Sequence, residues 1–175
     1  MKKLLFLLLC AAIPAIATTN KFSEAQITGR WQCVTEYSGD YFIAKTDDTV
    51  TLHADHLAEN AGKYTFTFRA QELTFRYEQP SRGNWKLDGD TLSLTWRDGP
   101  LTPAHDPEIQ KLITTKAKVR ELEQEIAAIL KPDENTEVDA NIVLRIDSIE
   151  GNTMRQTQLE RAGGPEMAKT VCTRL

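Results

Sequence analysis

The chain has 175 residues and a formal net charge of −4 at pH 7, with 41% hydrophobic and 26% charged residues. This length suits one domain with room for a substantial core. The acidic balance and the lack of a basic cluster in the sequence argue against binding of nucleic acid or of an anionic lipid surface.

The first seventeen residues have the pattern of an export signal. Two lysines are followed by an apolar run at 4–13 that is too short to span a bilayer, and Ala15-Ile16-Ala17 forms a small-x-small cleavage site. We therefore expect residues 1–17 to be removed as a signal peptide. Residues 18–175 would then form a single domain in a bacterial periplasm or in the medium.

Cys10 lies inside this predicted signal and raises the alternative of a lipid anchor. Bacterial lipoprotein signals need a small residue just before the modified cysteine, and the residue here is Leu9. A lipoprotein is therefore not favoured. No later segment of the sequence is long and apolar enough to be an integral membrane segment.

Two cysteines remain after signal removal, Cys33 and Cys172. Only one intramolecular pairing is possible, in a compartment where disulfides persist. The prediction is a Cys33–Cys172 disulfide that holds the last strand beside the first. The alternative is two buried free thiols.

From Arg30 onward, apolar and polar residues alternate in short segments. The positions that share one face of each segment are Trp31, Cys33, Thr35 and Tyr37; Val50 and Leu52; Tyr64, Phe66 and Phe68; Leu73, Phe75 and Tyr77; Trp85 and Leu87; Leu92, Leu94 and Trp96. Turn-forming residues between segments are Ser38-Gly39-Asp40, Asp47-Asp48, Asn60-Ala61-Gly62, Asp88-Gly89-Asp90 and Asp98-Gly99-Pro100. Period-two alternation with this spacing predicts a mainly β protein, an antiparallel meander barrel or a sandwich.

The pattern then changes to helical spacing. Asp106-Pro107-Glu108 is a helix start, and Lys131-Pro132 ends the run. The sequence therefore predicts one long α-helix over about 106–131, inserted between strands. This helix either packs on the barrel or projects as an arm or coiled-coil seam for a partner. Alternation resumes after it, at 138–146, 153–160 and 167–174.

The first strand opens ITGRWQC, and its G-x-W resembles the start of the first strand in lipocalins and related calycin barrels. The chain also resembles small secreted bacterial lipocalin-like proteins that begin G-x-W-x-C and finish C-x-R, and GNWKLDGDTLSLTW is similar to their mid-barrel hairpin. The resemblance implies a lipocalin-like barrel with Trp31 across its closed end and Arg174 packed over the tryptophan.

The alternation of side chains links this closure to the disulfide. Trp31 and Cys33 share one face of the first strand, and Cys172 and Arg174 share one face of the last. If the two strands pair antiparallel with Cys33 opposite Cys172, Trp31 stands opposite Arg174. A single register then makes both contacts.

No catalytic motif stands out. The sequence has no nucleophile elbow and no phosphate-binding glycine loop. Acidic residues at Asp47-Asp48, Asp88 with Asp90, and Asp133-Glu134 all fall in predicted turns, where acids serve local hydrogen bonding. We therefore predict no catalytic residue and no cofactor, and the protein is not expected to be an enzyme.

The strongest metal-like cluster is HADH, which contains His53, Asp55 and His56. On a strand, His56 would oppose the other two, and a site would need His105 brought in by the fold. The prediction is that no metal binds tightly here.

The aromatic stripes leave two alternatives open, because they either fill the core or line a cavity that holds one ligand. The candidate ligand-binding residues are Tyr64, Phe66, Phe68, Phe75, Tyr77, Trp85 and Trp96. Two functions follow from the sequence. The first is an exported lipocalin-like binding module for a small apolar ligand. The second is a protein-interaction module that presents the inserted helix or a loop edge to an envelope protein.

Overall fold

A computed structural model describes residues 21–131 and 140–175, and the fold is an antiparallel β-barrel with an inserted pair of helices. The strands are β1 (Gly29–Ser38), β2 (Phe42–Leu52), β3 (Leu57–Phe68), β4 (Leu73–Asp88), β5 (Thr91–Asp98), β6 (Thr102–Pro103), β7 (Ala140–Glu150), β8 (Thr153–Leu159) and β9 (Glu166–Arg174). The helices are α1 (Glu24–Ile27), α2 (Pro107–Thr115) and α3 (Ala117–Leu130).

Eight of these strands close the barrel. Their order is β3-β2-β1-β9-β8-β7-β5-β4, and pairing of β3 with β4 completes the ring, while the short β6 pairs only with β4. Every pairing is antiparallel, so the predicted mainly β, antiparallel barrel with a helical insertion is confirmed. In the described part of the chain, no helix has the length and apolar character needed to cross a membrane.

Two of the predicted turns are wrong. Asp47-Asp48 lies within β2 and Asn60-Ala61-Gly62 lies within β3, and the two strands keep one register from Phe42 opposite Phe68 to Leu52 opposite Ala58. Turn propensity is local, whereas each of these strands is hydrogen-bonded along both edges, β2 to β1 and β3, and β3 to β2 and β4. Those ladders outweigh the preference of Asp, Asn and Gly for a turn.

The segments predicted around Leu73–Tyr77 and Trp85–Leu87 are joined in one strand, β4, which runs through Pro80 and Gly83. Gly83 lies so close to β5 that a Cβ atom built on it would be 1.7 Å from the carbonyl oxygen of Thr95. The glycine therefore marks a close approach of two backbones rather than a chain reversal.

The single long helix predicted over about 106–131 is also wrong in one respect. The helical insertion (α2 and α3) begins at Pro107 as expected but is interrupted at Lys116, whose backbone is extended. The hydroxyls of Thr114 and Thr115 both donate to the carbonyl of Lys111. β-Branched residues that bond to the preceding turn weaken a helix, which accounts for the break at this point.

The apolar side chains form two cores. The barrel core occupies the interior and includes Trp31, Trp85 and Ile146. The insertion core, which contains Leu73, Phe75, Tyr77 and Ile126, lies between the helical insertion and the parts of β3 and β4 farthest from α1. Partly buried members of the insertion core are Tyr64, Phe66, Phe68, Leu101, Ile109, Leu112, Ile113, Val119, Leu122, Ala127 and Leu130. The helices therefore pack on the sheet, the first of the two alternatives.

Some predictions lie outside the described residues. These are the signal peptide at 1–17 with Cys10, the acidic pair Asp133-Glu134, and the beginning of the strand predicted at 138–146.

Candidate functional site

One end of the barrel is closed by α1, Trp31 and Arg174. Trp31 is fully buried, and its indole N–H donates to the carbonyl of Ile27 at the end of α1 (2.7 Å). The guanidinium carbon of Arg174 lies 4.2 Å from the centre of the Trp31 ring, and Nη1 donates to the carbonyl of Thr28 (2.7 Å). We refer to this as the closed end.

The register that connects β1 to β9 brings these residues together. Cys33 is opposite Cys172, Trp31 is opposite Arg174, and the two cysteines form a disulfide. This is the register that side-chain alternation predicts. The bridge therefore lies beside the closed end and joins the first and last strands.

The interior contains a cavity of about 180 Å³. Its wall is apolar where β1, β2, β5 and β7–β8 approach the closed end. The apolar lining residues are Trp31, Cys33, Val50, Leu52, Leu92, Leu94, Trp96, Ile142, Leu144 and Met154. In the described part of the barrel, the large side chains leave a narrow space, so the interior is neither fully filled nor widely hollow.

The other part of the wall is polar. Its residues are Thr35, Tyr37, Thr46, Asp48, Asn60, Tyr64, Ser81, Asp98, Gln156, Gln158 and Thr170. Many of them stand farther along their strands from the closed end, as Thr35 and Tyr37 follow Trp31 on β1. We call this part of the wall the polar end. The cavity therefore changes from apolar to polar along the barrel.

Asp48 is the central charged group of the polar end. Burial raises the pKa of its carboxyl above the ordinary value, and the neighbouring Asp47 adds to the increase. Hydrogen bonds from Thr46 and Asn60 act in the opposite direction, and the Asn60 Nδ2 to Asp48 Oδ1 distance is 3.4 Å. Desolvation is the larger effect, so the ionised carboxylate is less stable here than in water.

The carboxylate of Asp48 also affects the pKa of two tyrosines. Burial first, and then the charge of Asp48, raise the pKa of both Tyr37 and Tyr64, and Asp98 contributes further at Tyr64. The Tyr37 hydroxyl donates to Gln158, and Ser81 donates to Asp98 (2.6 Å). Both phenols are therefore held neutral, while two carboxyls lie in the same wall.

Asn60 supplies an acceptor that the fold leaves unused. Its Nδ2 donates to Asp48, but its Oδ1 is buried and has no hydrogen-bond partner among the residues that the structure describes. A buried polar atom without a partner costs free energy, so such an atom in a cavity wall indicates a place for a ligand group.

The predicted aromatic candidates are divided between two places. Tyr64 and Trp96 line the cavity, and Tyr64 also packs against the insertion core. Trp85 is buried in the barrel core and donates from its indole N–H to the carbonyl of His53 (2.9 Å). The other four candidates, Phe66, Phe68, Phe75 and Tyr77, lie in the insertion core and not in the cavity wall.

The reason for this division is the unequal length of the strands. Pairing of β4 with β5 begins only at Ser81, whereas pairing of β3 with β4 continues to Phe68 opposite Leu73. On the N-terminal side of Ser81, the helical insertion covers the inward face of β4 and of the part of β3 that pairs with it. The same face of one strand therefore belongs to the cavity wall at one end and to a helix interface at the other.

The three histidines are not brought together. His53 and His56 lie in the turn between β2 and β3, near Glu59 (3.8 Å) and Glu24 (3.9 Å) respectively. His105 is buried in contact with Phe75 and accepts from the backbone N–H of Arg76 (3.1 Å). Within residues 21–131 and 140–175, no three His, Cys, Asp or Glu side chains are grouped to hold a metal.

Sequence reasoning missed the polar lining residues Asp48, Asn60 and Asp98, which it assigned to turns. A signal was present, because Asp48 is two residues before Val50, Asn60 four before Tyr64, and Asp98 two after Trp96. Even spacing within one strand puts residues on the same face. Extending the alternation of each strand through the predicted turn would have placed these three residues on the inward face.

The comparisons with known proteins agree with this geometry. Residues 27–111 match the family model of the lipocalin-like domain. The match includes β1 to β6 and the first turn of α2, so the strands β7–β9 that complete the barrel lie beyond it. No curated protein matches the chain.

Proposed function

The chain forms a lipocalin-like β-barrel, and on this basis we propose that it binds one small molecule with an apolar body inside the barrel. The observation that carries this proposal is the interior cavity of about 180 Å³, apolar near the closed end and polar at the other. Ligand sites are typically concave and mostly apolar, with a few polar groups that set orientation.

The volume limits the size of the ligand. An apolar protein cavity of about 150 Å³ accommodates a benzene molecule. A cavity of about 180 Å³ therefore suits one aromatic ring with a short substituent, or an aliphatic molecule of similar size. Larger ligands such as fatty acids or pigments exceed this space.

A matched pair of variants tests the proposal. Val50→Phe adds bulk to the cavity wall, whereas Val171→Phe adds the same bulk on β9 at a residue that is 40% exposed. We expect toluene binding, measured by ligand-observed NMR, to be lost in Val50→Phe and kept in Val171→Phe. Native mass spectrometry of protein purified from its own host should also show a retained ligand. Equal toluene binding by both variants would contradict binding in the cavity.

We also propose that the protein is exported, with residues 1–17 as its signal peptide. The Cys33–Cys172 disulfide supports this proposal, because disulfides persist in oxidising compartments. N-terminal sequencing of the protein secreted or released from the periplasm is the direct test. A mature chain that still begins at residue 1 would contradict it.

The second candidate function, contact with an envelope protein through the helical insertion, has less support. Most apolar residues of α2 and α3 are occupied in the insertion core, while Ile129 is 81% exposed. If this function is correct, Ile129→Ser should abolish the capture of an envelope partner without changing toluene binding. If Ile129→Ser captures the envelope partner as well as the natural sequence does, the helical insertion is not the contact surface.

A further inference from the structure

The polar end of the cavity has an unbalanced charge. Asp48 and Asp98 both line it, and the lining residues in the described part of the chain include no Lys, Arg or His. Among the residues that the structure describes, the hydrogen-bond donors to these carboxylates are neutral side chains, Thr46 and Asn60 at Asp48 and Ser81 at Asp98. Negative charge in a partly buried cavity without a basic partner favours a cationic ligand.

The polar end also has hydrogen-bond acceptors with spare capacity. Asn60 Oδ1 is a buried acceptor without a partner in the described residues, and each Asp48 oxygen has two lone pairs. Several donors of the polar end are engaged, since Tyr37 donates to Gln158, Ser81 donates to Asp98, and Thr35 and Thr170 share one hydrogen bond. A ligand group that donates hydrogen bonds therefore meets acceptors with spare capacity at Asp48 and Asn60.

Aromatic rings stand in the same wall. Tyr37 and Tyr64 belong to the polar end, and Trp96 lines the cavity beside Asp98 on β5. The faces of such rings attract cations, most strongly where water is excluded. This adds a second reason for a positive group and does not depend on the carboxylates.

We propose that the ligand is a small primary organic ammonium ion, with its cationic group at Asp48 and Asn60 and its hydrocarbon body toward Trp31. This inference rests on the proposed binding function and specifies the ligand of the same cavity. An ammonium group carries three donors and no acceptor, which matches the unused capacity of Asp48 and Asn60. The apolar residues nearer the closed end would then surround the remainder of the molecule.

Other ligand chemistries fit less well. A carboxylate would be repelled by Asp48 and Asp98 and would leave Asn60 Oδ1 without a donor. An alcohol would supply one donor in place of three and no charge, and hydrogen bonds between charged partners are about twice as strong as neutral ones. The ranking expected is therefore ammonium first, alcohol second and carboxylate last.

Four probes of nearly the same shape separate these chemistries. They are benzylammonium, benzyl alcohol, toluene and benzoate, each titrated at pH 7 into the full-length purified protein by isothermal calorimetry. We expect benzylammonium to bind at least about tenfold more tightly than benzyl alcohol, the ratio that one charged hydrogen bond supplies. Benzoate should bind more weakly than toluene.

The residue-level test is Asp48→Asn, which keeps the size of the side chain and one oxygen acceptor. We expect the affinity for benzylammonium to fall about tenfold or more and that for toluene to change less than about threefold. Retained toluene binding shows that the variant is folded. Asp88→Asn, at an exposed position on the same barrel, serves as the control and should change neither affinity.

The outcomes distinguish the two proposals. If toluene and benzyl alcohol bind but benzylammonium is no tighter, the ammonium inference is wrong and the cavity remains a binding site. If Asp48→Asn leaves benzylammonium binding unchanged, the assigned position of the cation is wrong. If none of the four probes binds, both proposals fail.

Discussion

At the scale of single residues, Asp48 carries a cost in stability that its proposed role in ligand binding would explain. Its neighbours Asp47 and Thr49 occupy the opposite face of β2, while Asp48 lies in the cavity wall with its pKa raised by burial. An acid with a raised pKa in the folded state favours the protonated form there. The folded state therefore loses stability when the carboxyl ionises, a cost common at functional sites.

The first residue-scale prediction concerns the free energy of unfolding of Asp48→Asn. Below the ordinary aspartate pKa of about 3.9, the carboxyl is neutral in both states and imposes no penalty. As the pH rises through this value and then through the higher folded-state pKa, the penalty develops fully. Asp48→Asn removes it, so its melting temperature should exceed that of the natural sequence at pH 7.

The size of this effect should depend on pH. In a domain of this length, each kcal/mol corresponds to about 2–4 °C in melting temperature. We expect the difference between Asp48→Asn and the natural sequence to shrink toward zero by about pH 3. Thermal melts in the presence and absence of benzylammonium measure it, with Asp88→Asn as control. A lower melting temperature for Asp48→Asn at pH 7 would show that its hydrogen bonds outweigh desolvation.

At the scale of elements, the helical insertion acts as a cover for one end of the sheet. β3 and β4 stay paired over residues where β4 no longer pairs with β5. In this part, α2 and α3 cover the inward face of β3 and β4, which would otherwise be exposed. Tyr77 ties the layers together, since its hydroxyl donates to the carbonyl of Glu123 (3.2 Å). The helical insertion is therefore part of the folded domain, although it contributes no strand to the closed barrel.

The element-scale prediction compares two isoleucines on α3. Ile126 is 4% exposed in the insertion core, whereas Ile129 is 81% exposed. Ile126→Ala should lower the free energy of unfolding by about 2–5 kcal/mol, because it removes buried methyl groups and leaves a cavity. Ile129→Ala, the same substitution one turn away, should change it by less than about 0.5 kcal/mol.

Urea denaturation followed by tryptophan fluorescence measures both values. The three tryptophans are in the barrel core, so a loss of stability seen through them reports on the whole domain. Equal costs for the two isoleucine variants would mean that the helical insertion is not packed as described. A cost confined to far-UV dichroism would mean that the insertion unfolds independently of the barrel.

At the scale of the whole molecule, closure depends on the pairing of the first strand with the last. β1 and β9 are neighbours in the barrel, and the Cys33–Cys172 disulfide joins them across a sequence separation of 139 residues. In the chain-entropy account, a loop of this length restricts the unfolded chain by about 5 kcal/mol. Arg174 adds a local contribution at the same pair of strands, through Trp31 and the carbonyl of Thr28.

The whole-molecule prediction is that Cys33→Ser lowers the melting temperature by roughly 10–20 °C under oxidising conditions. In reductant, the natural sequence also lacks the bridge, so the difference between the two should nearly disappear. Differential scanning calorimetry with and without reductant measures this. Two free thiols found by mass spectrometry in protein prepared from the periplasm would refute the closure.

Arg174→Ala is the matching control at the same location. Its cation–π contact is worth about 0.5–2 kcal/mol, so its cost should be smaller than that of Cys33→Ser and independent of the redox state. If Arg174→Ala loses its effect in reductant, the arginine and the disulfide do not act separately.

Much of the fold can be read from the sequence, because it depends on short-range periodicity. Alternation defines the faces of β1 and β9, and with Cys33 opposite Cys172 it leads to Trp31 opposite Arg174. The helix start at Pro107 follows from the same kind of local chemistry, an N-cap aspartate followed by proline.

What only the tertiary structure decided is the environment of each face. Alternation shows that Phe75 and Ser81 share one face of β4, but not that helices cover the first while the second lines a cavity. It also cannot show that Asp48 and Asn60 remain in strands, since this depends on pairing with neighbouring strands, where Asp48 stands opposite Cys33 and Asn60 opposite Ser81. Local sequence determines which way a side chain points, and the long-range packing of strands and helices determines what it meets there.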